Sequence, residues 1–384
     1  MAIQRPCSPW VPYYAPAKAY NGYTLFTPEK GAVVWLIDME GRFVHCWEVP
    51  NMAEAGKMLS NGNLLCLKRD VAARTAGVDA SGGELVEMDW DSNVVWRYED
   101  QYMHHDFCRM DNGNIMILRR VPMPDDIAAR VQGGVPETGR DVMWTDSFRE
   151  VTPDGKVVWE WLGYEHLDPE VDIINPMCPR GEWTHTNACF VLPDGDILTT
   201  LRHIDTVAII DKGTGDIKWR WGVGELSMPH SPSLLNNGNI LVFDNGNFRK
   251  RAHQSYSRVV EVNPNTGEIE WEYKDDPPYR FYSHFKSDCQ RLPNGNTLIC
   301  ETTKGRLFEV TPGKEVVWEY ISPFYVWTKE AGWNNMVGRI CRYGPDYEGL
   351  KGRKLDPDRL ELTLREKPQG KKQALQERLG RLGY

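Results

Sequence analysis

The chain has 384 residues, 41% hydrophobic and 26% charged, with 45 Lys and Arg against 54 Asp and Glu. That composition excludes collagen-like, low-complexity and globally disordered chains, and the length is ample for a buried core. The net charge of −9 argues against a nucleic-acid binder, which needs a basic face for phosphates, and no run of about 18 apolar residues is present to span a membrane.

The chain opens with a Pro-rich arm, residues 1–20. MAIQRPCSPWVPYYAPAKAY lacks the apolar stretch of a secretory signal, so a cytoplasmic location is expected. Residues 22–49 offer three strands and end on WLIDMEGRFVHCWEV, with Trp47 near its close. A repeat then begins. An NGN or DGD turn between two apolar strands reads KMLSNGNLLCL at 57–67, CRMDNGNIMIL at 108–118, FVLPDGDILTT at 190–200, SLLNNGNILVF at 233–243 and QRLPNGNTLIC at 290–300. Asn-Gly and Asp-Gly in such places predict two-residue hairpin turns with positive φ at both central residues. A strand, a turn and a VVW-like strand follow each phrase, placing Trp96, Trp159, Trp219, Trp271 and Trp318 in register with Trp47.

Four short antiparallel strands recurring every 40 to 50 residues or so are the mark of β-propeller blades. The expected fold is therefore all-β, a six-bladed β-propeller of four-stranded blades over 21–349. Its first blade lacks one strand, which MVGRICRYG at 336–344 supplies, closing the ring. The recurring Trp should pack between blades. The glycines of the turns fall at 62, 113, 195, 238 and 295, and the step of 82 between the second and third exposes two insertions. They lie at about 120–143 and 162–184 and should form loops over one face. The segment 350–384 carries ten Lys and Arg against five Asp and Glu and reads as a basic tail with short helices or a loose arm.

Nine cysteines, with no CxxC pair, are scattered through the strands. They read as small hydrophobes in a reducing compartment, not as a disulfide framework or a zinc ribbon.

In a propeller the innermost strand A lines the central channel. Seven residues before the start of each turn stand Glu54, His105, Asn187, His230 and Ser287, with His185 and His284 slightly upstream. Side chains alternate along a strand, so His104 and His105 should not both face inward, and His105 is favoured. His45, His166, His203 and His253, together with His104, fall outside this register. Histidines at matching sites of several blades point to a shared pocket. Neutral imidazoles with a carboxylate suit a divalent metal; imidazoles with an arginine suit binding and transfer of an oxyanion.

The stretches THTNACFVLPDGDILTTLRHIDTVAIIDKGTGDIKWRWG and PHSPSLLNNGNILVFDNGNFRKR, with SYSRVVEVNPNTGEIEWEY, resemble the arylsulfotransferase (ASST-like) propellers over roughly residues 20–320. That resemblance implies sulfuryl transfer from an aryl sulfate to a phenol through a sulfohistidine, with no nucleotide and no cofactor. It implies His230 as nucleophile, His185 and Arg202 as the sulfate-binding pair, Asn187 as their neighbour and His105 as the remaining catalytic histidine. The alternative is a metal-dependent hydrolase or lyase holding one divalent metal ion on His105, His185, His230, His284 and Glu54. A non-catalytic binding platform explains the repeat but not the inward histidines. Either enzyme would take a small, aromatic substrate, with Trp183, His284, Phe324, Tyr325 and Trp327 near the channel mouth as contacts. No nucleic-acid or membrane partner is expected, and the oligomeric state is left open.

Overall fold

The apolar run after each Asx-Gly turn becomes the second strand of a blade. Leu64–Arg69, Ile240–Asp244 and Thr297–Glu301 are buried along nearly their whole length, because each lies between the blades on either side. The outermost strands alternate, as in Val94–Asp100, where one face meets solvent. The computed structural model describes residues 10–69, 83–138, 142–249, 253–329, 331–355 and 357. Six antiparallel blades form the ring, and five of them run A to D in chain order. Blade 1 differs: its strand A is Val337–Tyr343, paired to Tyr23–Pro28 with Leu25 opposite Cys341. The six-bladed propeller closed by a C-terminal strand is thus as expected.

The turns differ in detail. Leu59 N–H donates to Asn63 O and Gly62 N–H to Leu59 O, so the loop Ser60-Asn61-Gly62 has three residues. Only the glycine has positive φ, 83°. This is a type I turn with a glycine bulge, because the Asn61 carboxamide accepts the Asn63 N–H at 2.9 Å and holds Asn61 in the ordinary right-handed region.

Each recurring Trp donates its indole N–H to a main-chain carbonyl in the outer turn of the next blade. The pairs are Trp47 to Asp89, Trp96 to Pro153, Trp159 to Lys212, Trp219 to Pro264, Trp271 to Pro312 and Trp318 to Met39, at 2.6–3.1 Å. The last links blade 6 to blade 1 and completes the circle. A second latch uses the last residue of the NGN phrase. Asn63, Asn114, Asn239 and Asn296 donate to Glu87, Glu150, Glu261 and Glu309 of the same blade. Each of those carboxylates also pairs with a cation of the following blade: Arg109, Lys212, Arg291 and Arg342.

The arm does not stand apart from Trp10 onward. Tyr13–Tyr14 pairs with Val316–Ile321 as a fifth strand on blade 6. The two insertions pair with each other through a short parallel sheet, Gly133–Val135 with Ile174–Pro179. They pack Met123, Val131, Leu167, Ile174, Cys178 and Trp183 onto blades 3 and 4. The basic tail lies almost wholly outside the described residues. The eight described cysteines are unpaired thiols, and no helix among the described residues is long and apolar enough to cross a membrane.

Trp318→Phe keeps the buried ring but leaves the Met39 carbonyl without its donor. Chemical denaturation should show a loss of about 1–3 kcal/mol.

Candidate functional site

All loops that leave strand B or precede strand A gather at one end of the channel, and the chemistry-bearing residues gather there. Strand A of blade 3, Met103–Arg109, brings His104 and His105. Blade 4 brings Glu182, His185 and Asn187 ahead of its strand A, and Arg202 and His203 in the single 3-10 turn after strand B. His230 is the first residue of strand A in blade 5, His230–Leu234. Blade 1 contributes Arg339. Glu54, His105, His230, Lys286, Ser287, Gly338 and Arg339 line one cavity on the channel axis.

Of the pair His104 and His105, only His105 lines this cavity, as alternation along a strand expects. His105 has φ of +57°, and the pairing of strands A and B slips by two residues beside it. His104 lies fully buried behind it, Nδ1 to Nδ1 at 2.7 Å. His185 and Ser231 are also left-handed, at 46° and 50°. Such strain in non-glycine residues clusters where side chains must be aimed.

The hydrogen bonds determine the tautomers. Asn245 donates its amide to Ser283 O at 2.7 Å and Lys286 O at 3.1 Å, so its oxygen faces His230. His230 Nδ1 lies 2.7 Å from that oxygen and 3.1 Å from Met228 O. Both are acceptors, so Nδ1 carries the proton and Nε2 keeps its lone pair. Burial, with Arg202 and Arg339 nearby, holds His230 well below the usual imidazole pKa. It is a neutral imidazole at pH 7. His203 donates Nδ1–H to Glu182 O at 3.0 Å and accepts from Arg202 Nη1 at 3.1 Å on Nε2. Burial and Arg202 bring its pKa down to about 4. The Nδ1 of His185 meets the Glu182 carboxylate, whose other oxygen takes Arg120 at 3.1 Å. Burial, His203 and Arg202 keep His185 neutral. Its ring stacks on His203 at 4.6 Å and meets His105 edge-on at 5.1 Å.

Several expected contacts fall elsewhere. Trp183 is fully buried and donates its indole N–H to Asp172 O at 2.7 Å, so it is core. Asn187 accepts from Thr200 at 2.6 Å and donates to Pro229 O at 3.0 Å; it anchors the residue before His230. Phe324 stacks on Trp35 at 5.0 Å. Tyr325 and Trp327 are exposed on and beside a small hairpin, with Trp327 opposite Trp333.

Of the five residues assigned to a metal, Glu54, His105 and His230 line the cavity, but the five do not bring three ligand atoms together. Glu54 is held by Arg69 at 2.6 Å, and His284 is exposed beside Phe285 at 4.7 Å. Among the described residues, ligand atoms of three such groups come within 4.8 Å of one another only at Glu182, His185 and His203. There both His203 nitrogens are engaged, and Arg120 and Arg202 press positive charge on the same spot. Those charges oppose a dication and favour an anion.

Sequence reasoning missed Arg120, Glu182, Asp146, His203, Asn245 and Arg339. The FDNG phrase containing Asn245 and the His203 beside Arg202 were the available signals. Arg120 and Glu182 stand beside the insertions, where the blade register no longer guides the eye.

His45 and His203 both have pKa values pressed down to about 4 from 6.5, chiefly by burial. The unfolded chain binds these protons first, so their contribution is complete above pH 6.5 and is lost as pH falls toward 4, at about 1.4 kcal/mol per pH unit per group. Denaturant midpoints between pH 7 and 4.5 should fall, and His45→Gln should flatten the slope.

Of solved structures, a protein of unknown function from Bacteroides caccae superposes with a TM-score of 0.53 at 15% identity, covering 84% of this chain and 98% of its own. A catalytically inactive virginiamycin B lyase from Staphylococcus aureus, solved with quinupristin, gives 0.45 at 13% identity, over 80% and 86%. No curated protein matches the sequence. The profile of the arylsulfotransferase (ASST) family matches residues 13–228 and 226–322. The chain belongs to the arylsulfotransferase family.

Proposed function

We propose that this protein transfers a sulfuryl group from an aryl sulfate to a phenol by way of a sulfohistidine on His230. The observation that carries this reading is the state of that ring: a buried, neutral imidazole, proton held on Nδ1 by Asn245 and Met228, Nε2 available at the channel cavity. In the first step Nε2 bonds to sulfur as the sulfur–phenolate bond breaks, and the phenolate leaves with the electron pair. In the second step a phenol oxygen bonds to sulfur, its proton passes to a base, and His230 recovers its lone pair. Arg202 is the cation for the sulfuryl oxygens, a fixed planar charge that ammonium does not imitate. His185, backed by Glu182, stands beside it. No cofactor takes part in this scheme.

The test is incubation of the full chain with nitrophenyl sulfate, followed by intact-mass and peptide analysis. One sulfuryl adduct on His230 is expected, along with turnover that survives chelation. His230→Asn should lose both adduct and turnover. Full activity in His230→Asn, or activity abolished by chelator and restored by a divalent ion, overturns the reading. Arg202→Lys should still form adduct, slower by roughly 100-fold.

A further inference from the structure

Behind His105 lies a second imidazole and then a carboxylate, none of which the sulfuryl-binding residues use. His104 is fully buried, and its Nδ1 meets His105 Nδ1 at 2.7 Å. Its Nε2 lies 3.2 Å from Asp146 Oδ1. The other oxygen of Asp146 accepts from the Thr184 hydroxyl and, at 2.7 Å, from the Thr186 N–H. Burial pushes the Asp146 carboxyl up, but the facing His104, then Arg120 with its Nε 3.9 Å away and the Thr184 hydroxyl, hold it below the usual carboxylate range. An ionised Asp146 calls for N–H on the facing Nε2 of His104. The Nδ1 of His104 is then an acceptor, and the short contact obliges His105 to donate from its own Nδ1. His105 is left with a lone pair on Nε2, on the wall of the cavity that His230 also lines.

We infer that Asp146, His104 and His105 form a proton relay in which His105 is the general base for the acceptor phenol, with His104 and Asp146 as positioning residues. The inference rests on the sulfuryl-transfer reading of the same cavity. As the phenol oxygen bonds to sulfur, its proton moves to His105 Nε2 and the sulfur–nitrogen bond to His230 breaks. The proton on His105 Nδ1 then crosses to His104 Nδ1. The positive charge comes to rest on His104 opposite the Asp146 carboxylate, and Asp146 itself stays ionised. Return of the proton along the same path to water resets the site. The strained φ of His105 is what brings two adjacent strand residues into one line.

The relay predicts a split between the two half-reactions. Asp146→Asn keeps the shape of the side chain. Nitrophenyl sulfate should still load His230 at the parent rate. Transfer onward to weakly acidic phenols should slow roughly 10-fold to 100-fold, and transfer to acidic nitrophenols should change little. Equal slowing for all phenols, or equal loss of loading, overturns the relay. A separate reading needs no activity and no variant. Nitrogen NMR of the parent protein should show His105 protonated on Nδ1 and bare on Nε2. A protonated Nε2 overturns the proposal whether or not Asp146→Asn folds. Absence of the sulfuryl adduct in the parent protein would refute the transfer reading, while this spectrum still decides the relay.

Discussion

Six indole N–H groups hold the ring. Each Trp reaches out of its own blade to a carbonyl of the next, and an indole has a single direction in which to donate. Blade spacing and rotation are thereby set at six matching points, the sixth spanning from Trp318 to Met39. The Asn–Glu–cation latches repeat the same link where hydrophobic packing alone would let blades slide. With the blades locked, the first residue of each strand A falls at a fixed radius from the channel axis. Residues distant in sequence, such as His105, His185, His230 and Arg339, reach one small volume because the frame allows them no other place.

Within that volume a common device recurs. His105, His185, His203 and His230 are all gripped at Nδ1, by His104, by the Glu182 carboxylate, by the Glu182 carbonyl, and by Asn245 with Met228. Burial and guanidinium groups keep extra protons off. Acidic groups are present but engaged: Asp146 behind His104, Glu182 behind His185, and Glu54 on the cavity wall paired with Arg69. The result is a cavity whose wall offers imidazole lone pairs and positive charge, while its negative charge is spent on orientation. An anion matches that surface better than a free metal ion does.

Much of the frame was legible. The NGN turns, the VVW strands and the missing first strand lead to six blades and the closing segment, because those features are local and repeat. The residues of the pocket that keep blade register, among them His105 and His230, were legible for the same reason. What register misled about was orientation. His104 is fully buried yet touches His105 beside a left-handed residue, a contact that no spacing rule shows. Trp183 has the look of a rim aromatic yet is buried by the two insertions. Glu182 and Arg120 lie at the ends of those insertions, where no repeat exists to compare them with. The turn type was misjudged because the side chain of Asn61 closes its own loop and relieves the backbone of a second positive φ.

The closing strand has a consequence for the order in which the protein comes into being. Val337–Tyr343 pairs with Tyr23–Pro28 across more than three hundred residues. During synthesis, blades 2 to 6 emerge with their neighbours, while the first blade waits with one edge bare until residues 337–343 have left the ribosome. Closure of so long a loop is entropically the costliest pairing in the fold. Arg339 sits on that same strand, and its guanidinium reaches Asn187 O at 2.5 Å, the Ser231 hydroxyl, and within 3.8 and 3.9 Å of Asp106 and Asp288. Blades 3, 4, 5 and 6 are thus tied to the last strand to arrive. A nascent chain cannot assemble this cavity until the closing strand arrives, so premature release leaves its wall without Arg339.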